Sequence, residues 1–171
     1  MKNINEMKSF VNEQEIFIMP DVRIIGIEGR CKLHTGNNDV VAVWQRFNDT
    51  VTAKLEKLPR AIPKALLGWT GDCPEGSDYY SYIISIVCPA ETPVPDGLVY
   101  RDLPASYVAK GEYGDDIGGV ISKFTSNGFK TCYTDLGWNA ELYLDDEEEN
   151  PPKENCSPFR WLVPCAKTDE K

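Results

Sequence analysis

The sequence predicts an α+β fold built from two consecutive β-α-β-β repeats. Two patterns occur twice, each with an offset of 77 positions. The first is a helical stripe, formed by Val40, Val43, Trp44 and Phe47 and again by Ile117, Val120, Ile121 and Phe124. The second is an alternating strand, formed by Tyr82, Ile84, Ile86 and Cys88 and again by Phe159, Trp161, Val163 and Cys165. A unit that cannot bury its apolar face alone usually packs against its copy, so we expect one domain.

The first repeat reads as a strand, a helix and two further strands. Residues 22–28 are rich in β-branched side chains, which favour a pleated surface. Asn37, Asn38 and Asp39 can cap a helix whose apolar stripe continues to Leu58 and stops at Pro59. Residues 63–70 predict the second strand. The almost wholly apolar run 79–88 predicts the third, buried on both faces.

The second repeat follows a proline-rich connection at positions 89–95. Residues 106–110 predict its first strand, and the stripe that begins at Ile117 predicts its helix. Residues 140–144 correspond to residues 65–69 of the first repeat and predict its central strand. Five consecutive carboxylates at positions 145–149 cannot be buried, so we expect an exposed loop before the closing strand.

Composition limits the function classes. A chain of 171 residues is long enough for one core, which we place at residues 16–167, between an N-terminal extension (1–15) and a C-terminal tail (168–171). A formal charge of -9 argues against direct binding to nucleic acid or to an anionic membrane surface. No apolar run could span a bilayer and no secretory segment is recognisable, so we expect a cytoplasmic protein.

The six cysteines and the single histidine give no recognisable metal or disulfide pattern. The cysteines are widely scattered without a Cys-x-x-Cys pair, so we expect reduced thiols. Cys31 and His34 supply at most two ligands, which do not make a metal site. The sequence therefore predicts neither a metal nor a cofactor.

Glu141 is the residue whose surroundings decide the function. In a strand it shares one face with Asn139 and Tyr143, while Ala140 and Leu142 face a core. Its own face then lines either solvent or a ligand groove, and glutamate is mostly exposed in folded proteins. The many aromatic residues on or near the strands favour a groove, because tyrosine hydroxyls seek polar partners.

A glutamate in an aromatic groove has two uses. Partly desolvated, it attracts a cation more strongly than in water, and aromatic faces add about 0.5–2 kcal/mol each. Alternatively, burial raises the pKa of its carboxyl group, which then delivers or accepts a proton near neutral pH.

The chain resembles the GyrI-like small-molecule-binding family, which includes the effector-binding domains of AraC-type and MerR-type regulators. The resemblance covers residues 16–167 and rests on the order of the repeats and on several segments: Leu67-Gly68-Trp69, residues 79–87, residues 103–109, Glu141-Leu142-Tyr143 and residues 159–164. It implies a curved antiparallel sheet with helices on the convex side and a ligand groove, containing Glu141, on the concave side. No helix-turn-helix segment is recognisable, so the resemblance implies a stand-alone binding domain.

Three hypotheses follow, in order of preference. The first is a bacterial protein that binds hydrophobic, cationic or polyaromatic small molecules, with ligand-binding residues Glu141, Trp69, Tyr80, Tyr82, Trp138, Tyr143 and Trp161. The second, implied by the resemblance, is a hydrolase that opens cyclopropanoid DNA-alkylating natural products, with Glu141 and Tyr143 as catalytic residues. The third is an acidic module that binds a protein partner through residues 145–149.

Overall fold

The computed structural model describes residues 15–34, 36, 38–50, 52–132, 137–144 and 158–169. The strands of these residues are β1 (Ile16–Met19), β2 (Val22–Lys32), β3 (Ala65–Gly71), β4 (Tyr79–Pro89), β5 (Val99–Leu103), β6 (Ser106–Lys110), β7 (Phe129–Thr131), β8 (Asn139–Leu144) and β9 (Arg160–Lys167). The helices are α1 (Asn38–Thr50), α2 (Thr52–Leu55) and α3 (Ile117–Thr125). Most of the N-terminal extension and the acidic run 145–149 lie outside the described residues.

The strands form one antiparallel sheet in the order β1-β6-β9-β8-β3-β4-β2-β5, with β7 paired to β9. The strands of the first repeat, β2, β4 and β3, are neighbours, and so are those of the second, β6, β9 and β8. The two repeats meet where β3 pairs with β8, with Gly68 opposite Glu141. The α+β fold of two β-α-β-β repeats is therefore confirmed.

The two main helices pack on the same face of the sheet at equivalent places. Helix α1 buries Val43 and Phe47 in a cluster with β2 and β4, and α3 buries Val120 and Phe124 in a cluster with β6 and β9. These pairs are 77 positions apart, as the stripe predicts. Helical structure is described over Asn38–Thr50 and Thr52–Leu55, so it ends three residues before the predicted end at Leu58.

Apolar side chains of the sheet itself cover its opposite face. The curl of the sheet brings residues from eight strands into one buried cluster, among them Ile24, Leu67, Ile83, Leu142 and Leu162. Glu141 points to the other face, because it alternates with the buried Ala140 and Leu142. The groove expected on the side away from the helices is thus corrected: the cleft around Glu141 lies on the helix face, since apolar side chains fill the inside of the curl.

Among the described residues, no helix is long and apolar enough to cross a membrane. Among the described cysteines, Cys31, Cys73, Cys88 and Cys165 are free thiols.

Candidate functional site

Glu141 lies in the middle of the sheet, where the two repeats join. Its strand β8 pairs with β3 on one side and β9 on the other, so Glu141 has Gly68 and Trp161 as its cross-strand neighbours. The side chain is half-buried. Because both edges of β8 are hydrogen-bonded, the carboxylate rises from a backbone held on both sides.

Two tyrosine hydroxyls donate hydrogen bonds to the same carboxylate oxygen. The Tyr143 hydroxyl lies 2.5 Å and the Tyr82 hydroxyl 3.1 Å from Glu141 Oε2. Trp44, on α1, donates in turn from its indole Nε1 to the Tyr82 hydroxyl at 3.3 Å. A helix of the first repeat thus positions a tyrosine of β4 against the carboxylate of the second repeat.

Gly68 leaves the space in which these groups meet. An ideal Cβ at this position would lie 2.4 Å from the Tyr82 hydroxyl oxygen and 3.3 Å from Glu141 Oε2. Real Cβ atoms essentially never come as close as the first of these distances. A side chain at position 68 is therefore incompatible with the present position of the Tyr82 hydroxyl.

Burial perturbs every acid in this cluster. Desolvation raises the pKa of Glu141 above its ordinary value, while the hydrogen bonds from Tyr143 and Tyr82 oppose this rise. The pKa values of Tyr82 and Tyr143 are raised far above the usual tyrosine range, by burial and by the neighbouring carboxylate. Both tyrosines therefore remain neutral hydrogen-bond donors at physiological pH.

No basic side chain balances the carboxylate within the described part of the chain. The ion pairs Arg23–Asp102, Arg101–Glu28, Arg101–Asp72 and Lys123–Asp115 all lie away from Glu141. A partly buried carboxylate that has hydrogen bonds but no counter-charge retains an attraction for an incoming cation.

The cluster opens into a cleft of about 870 Å³ between the N-terminal parts of α1 and α3. This volume falls within the range of about 300–1,000 Å³ that is typical of small-molecule sites. The cleft is lined by residues of α1 and α3, of five strands (β2, β3, β4, β8 and β9) and of the adjoining loops: Lys32, Leu33, His34, Gly36, Val40, Val41, Trp44, Thr70, Cys73, Tyr80, Tyr82, Ile117, Asn139, Glu141, Tyr143, Phe159 and Trp161.

Four aromatic rings stand in sequence along one side of the cleft. Tyr143 contacts Trp44 at a centroid distance of 5.1 Å and Phe159 at 5.5 Å. Phe159 contacts Trp161 edge to face at 5.1 Å. Such contacts fix the rings in place, and their exposed surfaces can stack on an aromatic ligand or face a cation.

The structure brings five of the seven predicted binding residues together. Glu141, Tyr80, Tyr82, Tyr143 and Trp161 all line the cleft. Trp69 and Trp138, which were predicted to bind the ligand, do not line the cleft. Both indoles belong to the buried cluster inside the curl, where they are 4% and 3% exposed. Each lies one residue out of phase with the cleft-facing positions, so its side chain points to the opposite face.

Sequence analysis missed three residues that shape the site: Trp44, Phe159 and Gly68. Trp44 was assigned to the stripe that covers the sheet, yet it also reaches the Tyr82 hydroxyl. Phe159 occupies the position that matches Tyr82 in the repeat, which was a usable signal. Gly68 carried no signal of its own, because only the register of β3 against β8 shows that it lies opposite Glu141.

The described residues contain no group of three or more His, Cys, Asp or Glu side chains that could hold a metal ion. His34 lies at the rim of the cleft, in a turn where its own φ is +62°.

Comparisons with known proteins agree with this architecture. The family model described as integron-associated effector binding protein matches residues 15–155. No curated protein matches the chain. SAV2435 bound to tetraphenylphosphonium is similar in structure, with a TM-score of 0.58 and 15% identity, over 90% of this chain and 94% of the other. A transcription regulation protein from Staphylococcus aureus MU50 is similar with a TM-score of 0.53 and 18% identity, over 90% and 97%. These similarities show a shared GyrI-like fold.

Proposed function

The chain belongs to the family of integron-associated effector binding proteins, and from this membership we propose that it binds hydrophobic, cationic or polyaromatic small molecules in the cleft around Glu141. The observation that carries the proposal is the half-buried carboxylate, hydrogen-bonded by two tyrosines and set beside aromatic rings. A cation bound beside this partly buried carboxylate is attracted to it more strongly than it would be in water, because the effective dielectric constant is lower there.

Aromatic and electrostatic contributions act on the same ligand in this cleft. Trp44, Tyr143, Phe159 and Trp161 offer ring surface to a planar or polyaryl group. Each face contributes about 0.5–2 kcal/mol when it meets a cation. The ligand-bound SAV2435 supports this chemistry, because tetraphenylphosphonium combines four aryl rings with one positive charge. Bound compounds of this kind would be sequestered, and sequestration is the protective role that we propose.

The test uses two probes of the same shape and opposite charge, tetraphenylphosphonium and tetraphenylborate. Wild-type protein should be stabilised by the cation and not by the anion, by about 2.7 kcal/mol at 100 times the dissociation constant. Glu141→Gln keeps the size and hydrogen-bonding capacity of the side chain but removes its charge, so the preference for the cation should disappear. Thermal unfolding and titration calorimetry measure both effects.

A matched control separates the site from the general negative charge of the protein. Glu91→Gln makes the same chemical change at an exposed turn between β4 and β5 and should bind like wild type. Equal stabilisation of wild type and Glu141→Gln by the cation would contradict the proposal. A weaker response of Glu91→Gln than of wild type would show that net charge, and not the cleft, governs binding.

A second candidate function is hydrolysis of a cyclopropanoid alkylating compound. The observation that favours it is the placement of Glu141 between two neutral tyrosine hydroxyls, with a raised pKa. A carboxyl group of this kind can activate water, while Tyr143 donates to a carbonyl of the ligand. Product beyond one equivalent per protein, lost in Glu141→Gln while binding persists, would establish turnover. Product that stops at one equivalent would exclude it.

The acidic run 145–149, on which the interaction with a protein partner depends, lies outside the described residues and stays a prediction from the sequence.

A further inference from the structure

A second cavity lies beside the first on the helix face. It has a volume of about 380 Å³. Its lining comes from the C-terminal part of α1, from the end of α2 and the loop that follows it, from the start of β3 and from the end of β8: Phe47, Leu55, Glu56, Arg60, Lys64, Ala65, Leu66, Tyr143 and Leu144. It shares one lining residue, Tyr143, with the cleft around Glu141.

The strand register places the two cavities in line. Along β3, Thr70 lines the first cleft, Gly68 lies opposite Glu141, and Leu66 lines the second cavity opposite Tyr143. Leu66 and Thr70 are four positions apart in an extended strand, a distance of about 13 Å. The two cavities therefore form consecutive segments of one path along the sheet.

The ring of Tyr143 is the partition between them. Its hydroxyl is bonded to Glu141 on the side of the first cleft, and its ring is held edge to face against Trp44. Two aromatic rings of α1 lie on either side of this partition: Trp44 lines the first cleft, and Phe47, one turn later, lines the second cavity. A ligand that extends from one space into the other must pass this side chain, since Tyr143 lines both.

The two cavities differ in the charge of their lining. The first holds the carboxylate of Glu141, which has no ion pair among the described residues, and the exposed Lys32 at the end of β2, so with His34 neutral the net charge of its lining is zero. Arg60 and Lys64 line the second cavity together with the single carboxylate of Glu56, which leaves a net positive charge. This excess of positive charge contrasts with the formal charge of -9 of the whole chain.

We propose that the second cavity is a subsite for the anionic end of an elongated ligand whose cationic end lies at Glu141. The ligand class is an amphoteric molecule with a basic group and an acidic group separated by an apolar spacer. A cation that approaches Glu141 competes with Tyr143 for the carboxylate, which releases the hydroxyl that holds the partition. The inference rests on the proposed function, because it assumes that Glu141 binds the cationic end.

The test uses two series of triphenylphosphonium probes whose alkyl tails grow by one methylene at a time. One series ends in a methyl group and the other in a carboxylate. With wild-type protein, the carboxylate should weaken or not alter binding while the tail is short. Once the tail reaches Arg60 and Lys64, it should improve the affinity about tenfold over the methyl-ended probe, as expected for a charge-assisted contact.

Charge-removing variants locate the contact. Arg60→Gln combined with Lys64→Gln should abolish the gain of the long carboxylate probe and leave the methyl-ended series unchanged. Lys57→Gln is the matched control, since this exposed lysine is close in the chain but does not line the cavity. It should keep the gain.

The outcomes separate the inference from the function on which it rests. If tetraphenylphosphonium binds through Glu141 but no tail length shows a carboxylate gain, the second subsite is refuted and the proposed function stands. If the gain persists in the Arg60 and Lys64 double variant, the anionic end lies elsewhere and the inference is also refuted. If no cation binds, both the proposed function and the inference fall.

Discussion

Replacing Gly68 with alanine tests whether the position of the carboxylate cluster depends on the space above this glycine. The new Cβ would lie 2.4 Å from the Tyr82 hydroxyl oxygen, and an ordinary contact begins at 3.4 Å, so the hydroxyl must retreat by roughly 1 Å. Tyr82 is 1% exposed, and its hydroxyl also accepts a hydrogen bond from Trp44 Nε1 at 3.3 Å, so it cannot retreat without disturbing its partners. The retreat therefore disturbs its 3.1 Å hydrogen bond to Glu141.

Two effects of Gly68→Ala should be measurable. Overpacking should lower the free energy of unfolding by about 1–3 kcal/mol in chemical denaturation. Loss of one hydrogen bond to a charged group removes about 1.5–3 kcal/mol of preference for the ionised carboxylate, which raises the pKa of Glu141 further. Calorimetric titration with tetraphenylphosphonium should then show about tenfold weaker binding at neutral pH and a pH midpoint that moves upwards.

The control for this prediction comes from the same strand. At Gly71 a Cβ would lie 2.3 Å from the ring of Trp69, inside the curl of the sheet. Gly71→Ala should therefore destabilise the protein while it leaves the affinity for the cation unchanged. Wild-type affinity and pH midpoint in Gly68→Ala would refute the argument that Gly68 positions Tyr82 and Glu141. An equal loss of affinity in both variants would mean that general destabilisation explains it.

Three further predictions concern the charge of Glu141 and the location of the tryptophans. Cation affinity should be full at high pH and fall as the pH drops through the raised pKa of Glu141, whereas Glu141→Gln should give a flat profile in calorimetry. Unliganded Glu141→Gln should be more stable than wild type at neutral pH in urea unfolding, since the folded state holds the ionised group at a cost. This gain should vanish below about pH 4, the pKa of glutamate in the unfolded chain. An aromatic cation should quench the fluorescence of Trp44 and Trp161, so that replacing these with phenylalanine removes the quenching, while replacing Trp69 or Trp138 preserves it.

Most of the fold could be predicted from the repeat in the sequence. The offset of 77 paired Val43 with Val120 and Phe47 with Phe124, and the structure buries all four under the sheet. Such pairs were predictable because helical spacing and burial are local properties of the sequence. The curl was not predictable in this way, since it depends on how strands distant in the chain twist against each other.

The errors at the site come from strand phase. Trp138 shares its phase with Ala140 and Leu142, which were assigned to the core, so the alternation of β8 alone placed it away from Glu141. The same reasoning applies to Trp69. It corresponds to Leu144 in the repeat, and Leu144 shares the core-facing phase of Ala140 and Leu142. The position of Gly68, in contrast, required the pairing of two strands more than 70 residues apart, and no local pattern contains that information.

The pairing of β3 with β8 has an evolutionary consequence. An offset of 75 relates these strands, and it converts the pair Ala65–Leu144 into the pair Trp69–Ala140, so the junction has an approximate two-fold axis. Under this operation the counterpart of Glu141 is Leu66, a residue of the second cavity. A symmetric ancestor assembled from two identical halves would have carried the same side chain at both places. Once both halves were joined in one gene, one position could keep an acid while the other became aliphatic. The two cavities then differ chemically, so an asymmetric ligand would bind across them in a single orientation.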